Sequence, residues 1–372
     1  MADKSRYVSG IDAGPGKIPH NDDSTLDTNL VEWKKFKVML RKSIDAGTVF
    51  SNQIVSTYPL IYTAGNTYFG GILAINGDAH FVPYSATVGQ KVNSSGVVST
   101  YALVYQVSSA YRGGVLGVNG DIHFIPYAAA RGQKINASGV VSTYSLVYTA
   151  PNAYGGGVLG PNGDIHFVPE IATVGQKINS SGVVSTYSLV YTLSPAPYRG
   201  GVLAANGDIH FVPVNAVVGQ KISSAGVVST YSLVYTAASA YASGVLSFDG
   251  DIYFVPGSAA VGQKISIDGT VSTYSLAHTG SNAYRGGILS PNGDIQFSPD
   301  SATVGQKINL SGVVSTYSLV YTAANAYRSC ILTPDGDIHL VPSSGTVGQK
   351  ISLLGAIPFN NAICMSSFFN NF

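Results

Sequence analysis

The sequence predicts an all-β fold for most of its 372 residues. Glycine (43 residues) and tyrosine (24) are abundant, while only 10% of the residues are charged, a balance typical of strands and tight turns. A second observation is repetition: the stretch VGQKINSSGVVSTYSLVYT at residues 174–192 returns almost unchanged at 304–322. Repetition at a fixed period indicates an array of equal structural units.

The period of the array can be measured from a Gly-Asp pair that occurs once in every unit. The aspartates of these pairs are Asp78, Asp121, Asp164, Asp208, Asp251, Asp294 and Asp337. Successive pairs are 43 residues apart, except for one interval of 44 whose extra residue falls in TLSPAPYRG. A period in the forties is typical of a propeller blade or of a solenoid turn.

Four strands are predicted in each unit, as residues 155–192 illustrate. GGVLG forms the first strand, and PNGD follows as a two-residue hairpin turn because Asn-Gly accepts positive φ angles. DIHFVP is the second strand, and Pro169 ends it because proline cannot donate to the ladder. GQKIN and VVSTYSLVYT form the third and fourth strands. Four strands in about 43 residues predict a propeller blade.

The two ends of the array are complementary. It begins with a fourth strand, FSNQIVSTYPLIYT, and ends with a third strand, VGQKIS. We therefore expect residues near 53–62 to complete the blade whose three inner strands come from about 329–352. Such a ring leaves no open sheet edge between its first and last units. The predicted fold is a seven-bladed β-propeller over residues 48–352.

The pattern GGVLGPNGDIHFVP resembles known seven-bladed propellers with a glycine-rich inner strand and an aromatic second strand. It is also similar to repetitive propeller proteins of tailed bacteriophages, in which such repeats precede a C-terminal segment like ICMSSFFNNF. The first resemblance implies the architecture. The second implies a virion component of tail or fibre type.

The segments outside the array differ from it. Residues 1–47 carry 8 basic and 7 acidic side chains, and residues 1–28 are predicted to form an extended arm. NLVEWKKFKVMLRKSIDAG is predicted to be a basic amphipathic helix, either lying on the propeller or docking on another subunit of an assembly. The candidate docking residues are Trp33, Lys34, Lys35, Phe36, Lys37, Leu40 and Arg41. Residues 353–372 form a separate tail.

A candidate ligand site follows the fourth strand of each unit. Tyrosine occupies one position in all seven units: Tyr68, Tyr111, Tyr154, Tyr198, Tyr241, Tyr284 and Tyr327. Arginine follows it in four: Arg112, Arg199, Arg285 and Arg328. Tyrosine and arginine suit sugar rings, carboxylates or protein hot spots. The alternative is that the tyrosines plug the gaps between blades.

Other repeated positions have structural interpretations. The second-strand position holds His80, His123, His166, His210 and His339, but Tyr253 and Gln296 in two units, so we expect buried polar groups rather than metal ligands. The lysines of the Gly-Gln-Lys motif are expected to be solvated. Cys330 and Cys364 lack zinc-type spacing and are expected to be buried thiols. No metal site or cofactor is predicted.

Charge and hydropathy limit the possible partners. The net charge of +1 provides no global field for nucleic acid, and no stretch of about 18 apolar residues provides a membrane span. The N-terminus has no signal-peptide pattern, so we expect the virion, or otherwise the cytoplasm, as its location.

The sequence contains no recognised catalytic motif and its departures from the repeat are scattered, which predicts a protein that is not an enzyme. We expect a virion-type structural or attachment protein with repeated binding sites for host-surface glycan or a partner protein. Two alternatives remain open: a purely structural scaffold subunit, or a glycan-processing propeller enzyme.

Overall fold

The computed structural model describes residues 53–192 and 195–353. These residues form seven four-stranded antiparallel sheets. The first strand of each sheet contacts the first strands of the next and the preceding sheets, and the last sheet contacts the first. This cyclic contact makes a seven-bladed β-propeller, which confirms the predicted fold. The described residues contain no helix, and therefore none that could cross a membrane.

We number the blades in chain order, with β1 belonging to the last. The strands are β1 (Gln53–Pro59); blade 1, β2 (Tyr68–Leu73), β3 (Ala79–Pro83), β4 (Val88–Val92), β5 (Val98–Ala102); blade 2, β6 (Tyr111–Leu116), β7 (Ile122–Pro126), β8 (Arg131–Ile135), β9 (Val141–Ser145); blade 3, β10 (Tyr154–Leu159), β11 (Ile165–Pro169), β12 (Val174–Ile178), β13 (Val184–Ser188); blade 4, β14 (Tyr198–Leu203), β15 (Ile209–Pro213), β16 (Val218–Ile222), β17 (Val228–Ser232); blade 5, β18 (Tyr241–Leu246), β19 (Ile252–Pro256), β20 (Gly262–Ile265), β21 (Val271–Tyr274); blade 6, β22 (Tyr284–Leu289), β23 (Ile295–Pro299), β24 (Val304–Ile308), β25 (Val314–Ser318); and blade 7, β26 (Tyr327–Leu332), β27 (Ile338–Pro342), β28 (Val347–Leu353).

The ring is closed by strands from the two ends of the array. β1 pairs antiparallel with β28, from Gln53 opposite Leu353 to Pro59 opposite Val347. The last sheet therefore has the order β1-β28-β27-β26. This confirms that residues near 53–62 complete the blade formed by the last three strands.

The core lies between the blades. Between blades 2 and 3, Val115 and Ile125 of one sheet pack against Tyr154, Phe167 and Ile178 of the next. The same residue types recur in the other cores. Because each sheet buries its apolar face only against its neighbours, stability depends on the completeness of the ring.

The repeated glycine of the third strand has a packing reason. In blade 3, a Cβ on Gly175 would lie 2.2 Å from the ring of Tyr187, its partner in the register of β12 and β13. The tyrosine of Ser-Thr-Tyr therefore covers the glycine of Gly-Gln-Lys. This contact couples the two most repetitive motifs of the sequence.

The glutamine of Gly-Gln-Lys joins neighbouring blades. Gln176 of blade 3 is fully buried, and its Oε1 accepts the backbone N–H groups of Val147 (3.0 Å) and Tyr148 (2.7 Å), which follow the last strand of blade 2. Equivalent pairs of bonds occur at the other six blades. Each connecting loop is thus fixed to the blade that it enters.

The predicted arm, the basic helix and the C-terminal tail lie outside the described residues. The candidate docking residues, including Trp33 and Phe36, are among them, as is Cys364. The domain boundaries near residues 47 and 352 and the docking role stay predictions. Cys330 is buried with a free thiol, and burial raises its pKa well above the ordinary value.

Candidate functional site: an arginine cluster on the axis

The seven tyrosines of the predicted ligand site lie in the interior. Each begins the inner strand of a blade and is fully buried. Its hydroxyl donates to the backbone carbonyl of the residue that opens the third strand of the same blade, at 2.9–3.3 Å. A ligand on the surface cannot touch these side chains. The structure therefore restricts the candidate site to the four arginines and their surroundings.

The arginines meet on the axis of the ring. They occupy the second position of four inner strands, where the other three blades have Phe69, Gly155 and Ala242. Two carboxylates join them, Glu170 and Asp300, each directly after the proline that ends a second strand. We define the axial cluster by its six charged residues, Arg112, Arg199, Arg285, Arg328, Glu170 and Asp300.

The cluster contains two sets of ion pairs. Glu170 bridges two blades, since it accepts from Nη1 of Arg112 and from Nη2 of Arg199 at 2.9 Å. Gly155 makes room for it, because a Cβ there would lie 2.7 Å from Glu170 Oε2. These contacts hold Glu170 between the neighbouring blades.

Asp300 forms the second set. Its Oδ2 accepts from Nε of Arg285 at 2.8 Å, and its Oδ1 lies 3.7 Å from Nε of Arg328, too far for a hydrogen bond. The Asp300 side chain is fully buried. Its pairing with Arg328 is therefore incomplete.

The charges of the axial cluster do not balance. Four guanidinium groups face two carboxylates, which leaves an excess of two positive charges. The arginine side chains are only 7–16% exposed. In addition, the Nε atoms of Arg112, Arg199 and Arg328 are buried without a hydrogen-bond partner. Buried charges and donors are costly when unpaired, so this arrangement favours an added anion.

The arginines of the cluster differ in their pKa shifts: the pKa of Arg112 is raised despite burial, chiefly by Glu170, whereas the pKa values of Arg199 and Arg328 are lowered, chiefly by burial. Burial alone would raise the pKa of Glu170, but Arg112 and Arg199 outweigh it and lower the pKa, so the carboxylate is ionised at neutral pH. Burial, together with the charges of Arg112 and Arg285, lowers the pKa of Arg199 despite its contact with Glu170. Arg199 stays charged at neutral pH and is incompletely compensated.

An aromatic wall borders the cluster on one side. The guanidinium carbon of Arg112 lies 3.8 Å from the ring centre of Tyr127 and 4.5 Å from that of Phe69. Tyr84 stands between these rings, 5.9 Å from Tyr127 and 5.7 Å from Phe69. Tyr84 and Tyr127 are half-buried, so part of each ring is exposed to solvent.

A small cavity of about 30 Å³ lies between the arginines. Its wall includes Arg199, Arg285 and Arg328, and glycines and serines of the inner strands form its floor. The hydroxyl of Ser243 is buried there without a partner. Since one water needs roughly 10–15 Å³, the cavity has room for a group the size of a carboxylate.

The repeated lysines and histidines lie away from the axis. Each Gly-Gln-Lys lysine forms an ion pair of 2.5–2.8 Å with the turn aspartate of its own blade and keeps 27–35% of its side chain exposed, so the lysines are solvated only in part. The second-strand histidines are buried beside the outer-strand tyrosines. Within the described residues, no group of three or more acidic, histidine or cysteine side chains is arranged to hold a metal ion.

Sequence analysis missed Glu170, Asp300, Tyr84 and Tyr127. All four stand directly after a second-strand proline, where the seven units carry six different residue types. The signal was available, because a position that varies between otherwise identical repeats marks a place where the ring loses its symmetry. Each side chain is charged or aromatic, and the position adjoins the arginine-bearing strands.

No protein-family model and no curated protein matches the chain. Solved structures match its fold. Streptogramin B lyase has a TM-score of 0.70 and 20% identity over 82% of this chain and 99% of that chain. The extracellular domain of a hybrid two-component system from B. thetaiotaomicron has a TM-score of 0.62 and 12% identity over 80% of this chain and 42% of that one. An auxiliary nutrient binding protein from Bacteroides ovatus has a TM-score of 0.51 and 12% identity over 81% and 76%.

These similarities correct the prediction that the protein is not an enzyme. Besides streptogramin B lyase, two structures of virginiamycin B lyase from Staphylococcus aureus match the chain at 17% identity. Other proteins with this architecture are enzymes. The lack of a recognised catalytic motif in this sequence therefore does not argue against enzymatic activity. The matched structures include both enzymes and binding proteins, and at these identities they establish the fold alone.

Proposed function

We propose that the protein is a recognition propeller whose axial cluster binds an acidic glycan, with one sugar carboxylate placed among the arginines. The observation that supports this is the excess of two positive charges in a nearly buried site with unpaired Nε donors. Guanidinium groups bind carboxylates through planar, charge-assisted hydrogen bonds. A single carboxylate would reduce the excess by half.

The surroundings suit a sugar ring attached to that carboxylate. Tyr84 and Tyr127 present half-exposed faces at the edge of the cluster. The C–H face of a pyranose packs well on such rings, while their hydroxyl groups stay in contact with water. A uronic or sialic acid unit combines both requirements: a carboxylate for the cavity and a ring for the aromatic wall.

We further propose that the protein acts in the attachment of a virion to its host. The resemblance to repetitive propellers of tailed bacteriophages favours an attachment component of a virion, with host-surface polysaccharide as the ligand. Residues 1–47 would then dock the propeller on a neighbouring subunit. A scaffold role alone would not explain the excess positive charge of the axial cluster.

The proposal can be tested with an acidic polysaccharide beside its carboxyl-reduced form. We expect the full chain to bind the acidic polymer and to bind the reduced polymer at least tenfold more weakly. Arg199→Ala should lower the affinity for the acidic polymer by about 10–100-fold, the range of a charge-assisted hydrogen bond. The fold should accept this change, since blade 5 has Ala242 at the same position.

Arg131→Val is the matched control. It removes one positive charge from an exposed position at the start of a third strand, where other blades have valine. It should leave the affinity unchanged. Equal binding of the acidic and reduced polymers, or equal losses in the two variants, would contradict a carboxylate site at the axis.

Catalysis on the bound glycan is a second candidate, which the similarity to lyases favours. Glu170 and Asp300 are the two carboxylates of the axial cluster and therefore lie beside the proposed ligand. The binding experiment extends directly to this question: release of new chain ends from the acidic polymer, absent in Arg199→Ala, would indicate an enzyme.

A further inference from the structure

Two small pockets lie between neighbouring blades, away from the axial cluster. One, between blades 1 and 2, has a volume of about 70 Å³, and the other, between blades 2 and 3, about 60 Å³. We call them the interblade pockets. They border the hairpin turns that follow the inner strands, whereas the axial arginines stand where those strands begin. The pockets and the axial cluster therefore lie on opposite faces of the ring.

One wall of each pocket consists of a histidine, a lysine and a tyrosine from the preceding blade. Between blades 2 and 3 these are His123, Lys134 and Tyr144. The Tyr144 hydroxyl lies 3.4 Å from Nδ1 of His123. Burial raises the pKa of Tyr144 and lowers that of His123 to about 4, so both are neutral at neutral pH. The hydroxyl is the donor in this contact when the ring proton of His123 is on Nε2, and it is the acceptor when that proton is on Nδ1.

The lysine adds donors without adding net charge. Nζ of Lys134 uses one of its three protons in the 2.6 Å contact with Oδ2 of Asp121. The remaining protons are available, since the lysine side chain is 32% exposed. The wall thus offers N–H donors from Lys134 and His123, while the total charge of its ionised groups is zero. This is unlike the axial cluster, and an anion has no advantage here.

The opposite wall is largely apolar. In the pocket between blades 2 and 3 it includes Ile165 and Ile178 of blade 3, together with Val118 from the turn of blade 2. Ile122 and Ile135 occupy the same places in the other pocket. A ligand group that fits must therefore present an acceptor on one side and an apolar surface on the other.

One turn residue differs in size between the blades that line these pockets and blades 5 and 6. Ala137 and Ser180 line the two pockets from the turn between the third and fourth strands. Blades 5 and 6 have Ile267 and Leu310 at this position. Their side chains cover Gly250 and Gly293, where an added Cβ would lie 2.7 Å and 2.5 Å from them. Ala137 and Ser180 leave more room at the equivalent glycines, Gly120 and Gly163, where the distances are 3.6 Å and 3.8 Å.

We propose that the two interblade pockets bind the acetamido group of an N-acetylated sugar. Its carbonyl oxygen would accept from Nε2 of the histidine and Nζ of the lysine, and its methyl group would pack on the isoleucines. Each pocket holds several water-sized volumes of roughly 10–15 Å³, enough for this group. Two equal sites on one face would bind a repeating glycan more strongly than one.

The test uses trimers of N-acetylglucosamine and of glucose, titrated into the full chain and followed by calorimetry. We expect saturable binding of the N-acetylated trimer and at least tenfold weaker binding of the glucose trimer. Ala137→Leu combined with Ser180→Leu should reduce binding of the N-acetylated trimer at least tenfold, because both positions line the pockets and the added side chains would narrow them.

The chain offers a close control. Ser138→Leu combined with Ser181→Leu adds the same side chains to the neighbouring, exposed turn positions, which do not line the pockets. This variant should bind the N-acetylated trimer like the parent. Equal binding of the two trimers would overturn the acetamido assignment. Absence of binding, or undiminished binding by the filled variant, would overturn the pockets as sites.

This proposal fails or succeeds independently of the axial site. The filled variant should keep the parent's affinity for the acidic polysaccharide. A loss of that affinity as well would show that the substitutions disturb the whole ring, in which case the reduced binding of the N-acetylated trimer would no longer support the pockets.

Discussion

At the residue scale, the second-strand histidines show how burial sets the protonation state of a repeated titratable group. Five blades carry one, and in each the pKa is lowered to about 4 from an ordinary value of 6.5. Burial is the main cause, because it disfavours the imidazolium ion. In His80, His123, His166 and His210 the nearby lysine lowers the pKa further.

These histidines make the folded state sensitive to acid. As the pH falls from 6.5 to 4, the unfolded chain takes up protons that the folded chain does not, so the free energy of unfolding decreases. We expect each histidine to contribute a loss on the order of 1–2 kcal/mol between pH 7 and pH 5. Urea denaturation at a series of pH values measures this loss.

Blade 6 supplies the control for this prediction, since Gln296 stands at the histidine position. Replacing all five histidines, His80, His123, His166, His210 and His339, by glutamine should make stability nearly independent of pH between 7 and 5. A parent protein whose stability is already flat over this range would refute the assignment of neutral, buried histidines. So would a variant that loses as much stability as the parent.

At the element scale, β1 is the strand that completes the ring. Its ladder with β28 joins the two ends of the array, and Tyr58 of β1 covers Gly348 of β28, as the outer-strand tyrosine does in the other blades. Without β1, the edge of β28 would expose unpaired backbone groups and the glycine would lose its cover. Open edges of this kind promote association with other chains.

A shortened chain that begins at residue 63 tests the role of β1. It should unfold at a lower temperature than the parent and form oligomers in size-exclusion chromatography. A synthetic peptide of residues 53–62 should restore the monomer and raise the unfolding temperature, because it can pair with β28. The same peptide with Tyr58→Ala should be much less effective. If the shortened chain is already a stable monomer, the closure by β1 is not required.

The sequence was most informative where the units are identical and least where they differ. Period, strand order and the joining of β1 to β28 all follow from repeated local patterns. The turns also lie at the predicted Gly-Asp pairs, but the predicted two-residue type is wrong, since only the glycine has a positive φ and the turn is closed by bonds such as Gly160 N–H to Asp164 O. The burial of Tyr154 could not be predicted in this way, because a tyrosine at the start of a strand has the same sequence pattern whether it is buried or exposed. Glu170 and Asp300 depend on which side chains the ring brings to its axis, and only the closed structure shows that.

At the scale of the whole molecule, residues that are the same in every blade and residues that differ between blades occupy different parts of the ring. Repeated residues such as Gln176 hold blades together, while residues at positions that vary between blades, such as Glu170 and Arg199, meet at the axis. The outer rim is nearly uniform: Val104, Val147, Val190, Val234 and Val320 are each about 60% exposed at equivalent positions. A site with its own chemistry can therefore arise in one place without weakening the repeated contacts.

The separation extends to the predicted assembly segment. All seven sheets are made from residues 53–353, so removing residues 1–47 leaves every strand in place. We expect a chain of residues 48–372 to keep the parent's unfolding temperature and its affinity for acidic polysaccharide. On the proposed virion role, it should also lose association with the subunit on which residues 1–47 would dock. Substituting Trp33 and Phe36 by alanine in the full chain should weaken that association without affecting the fold, since the apolar stripe of the predicted helix would supply the docking contacts. Co-purification with that subunit measures the effect, and Arg131→Val is a suitable control because it lies in the propeller. If the shortened chain still assembles like the parent, the docking surface belongs to the propeller, and the exposed valines of its rim become the surface to test.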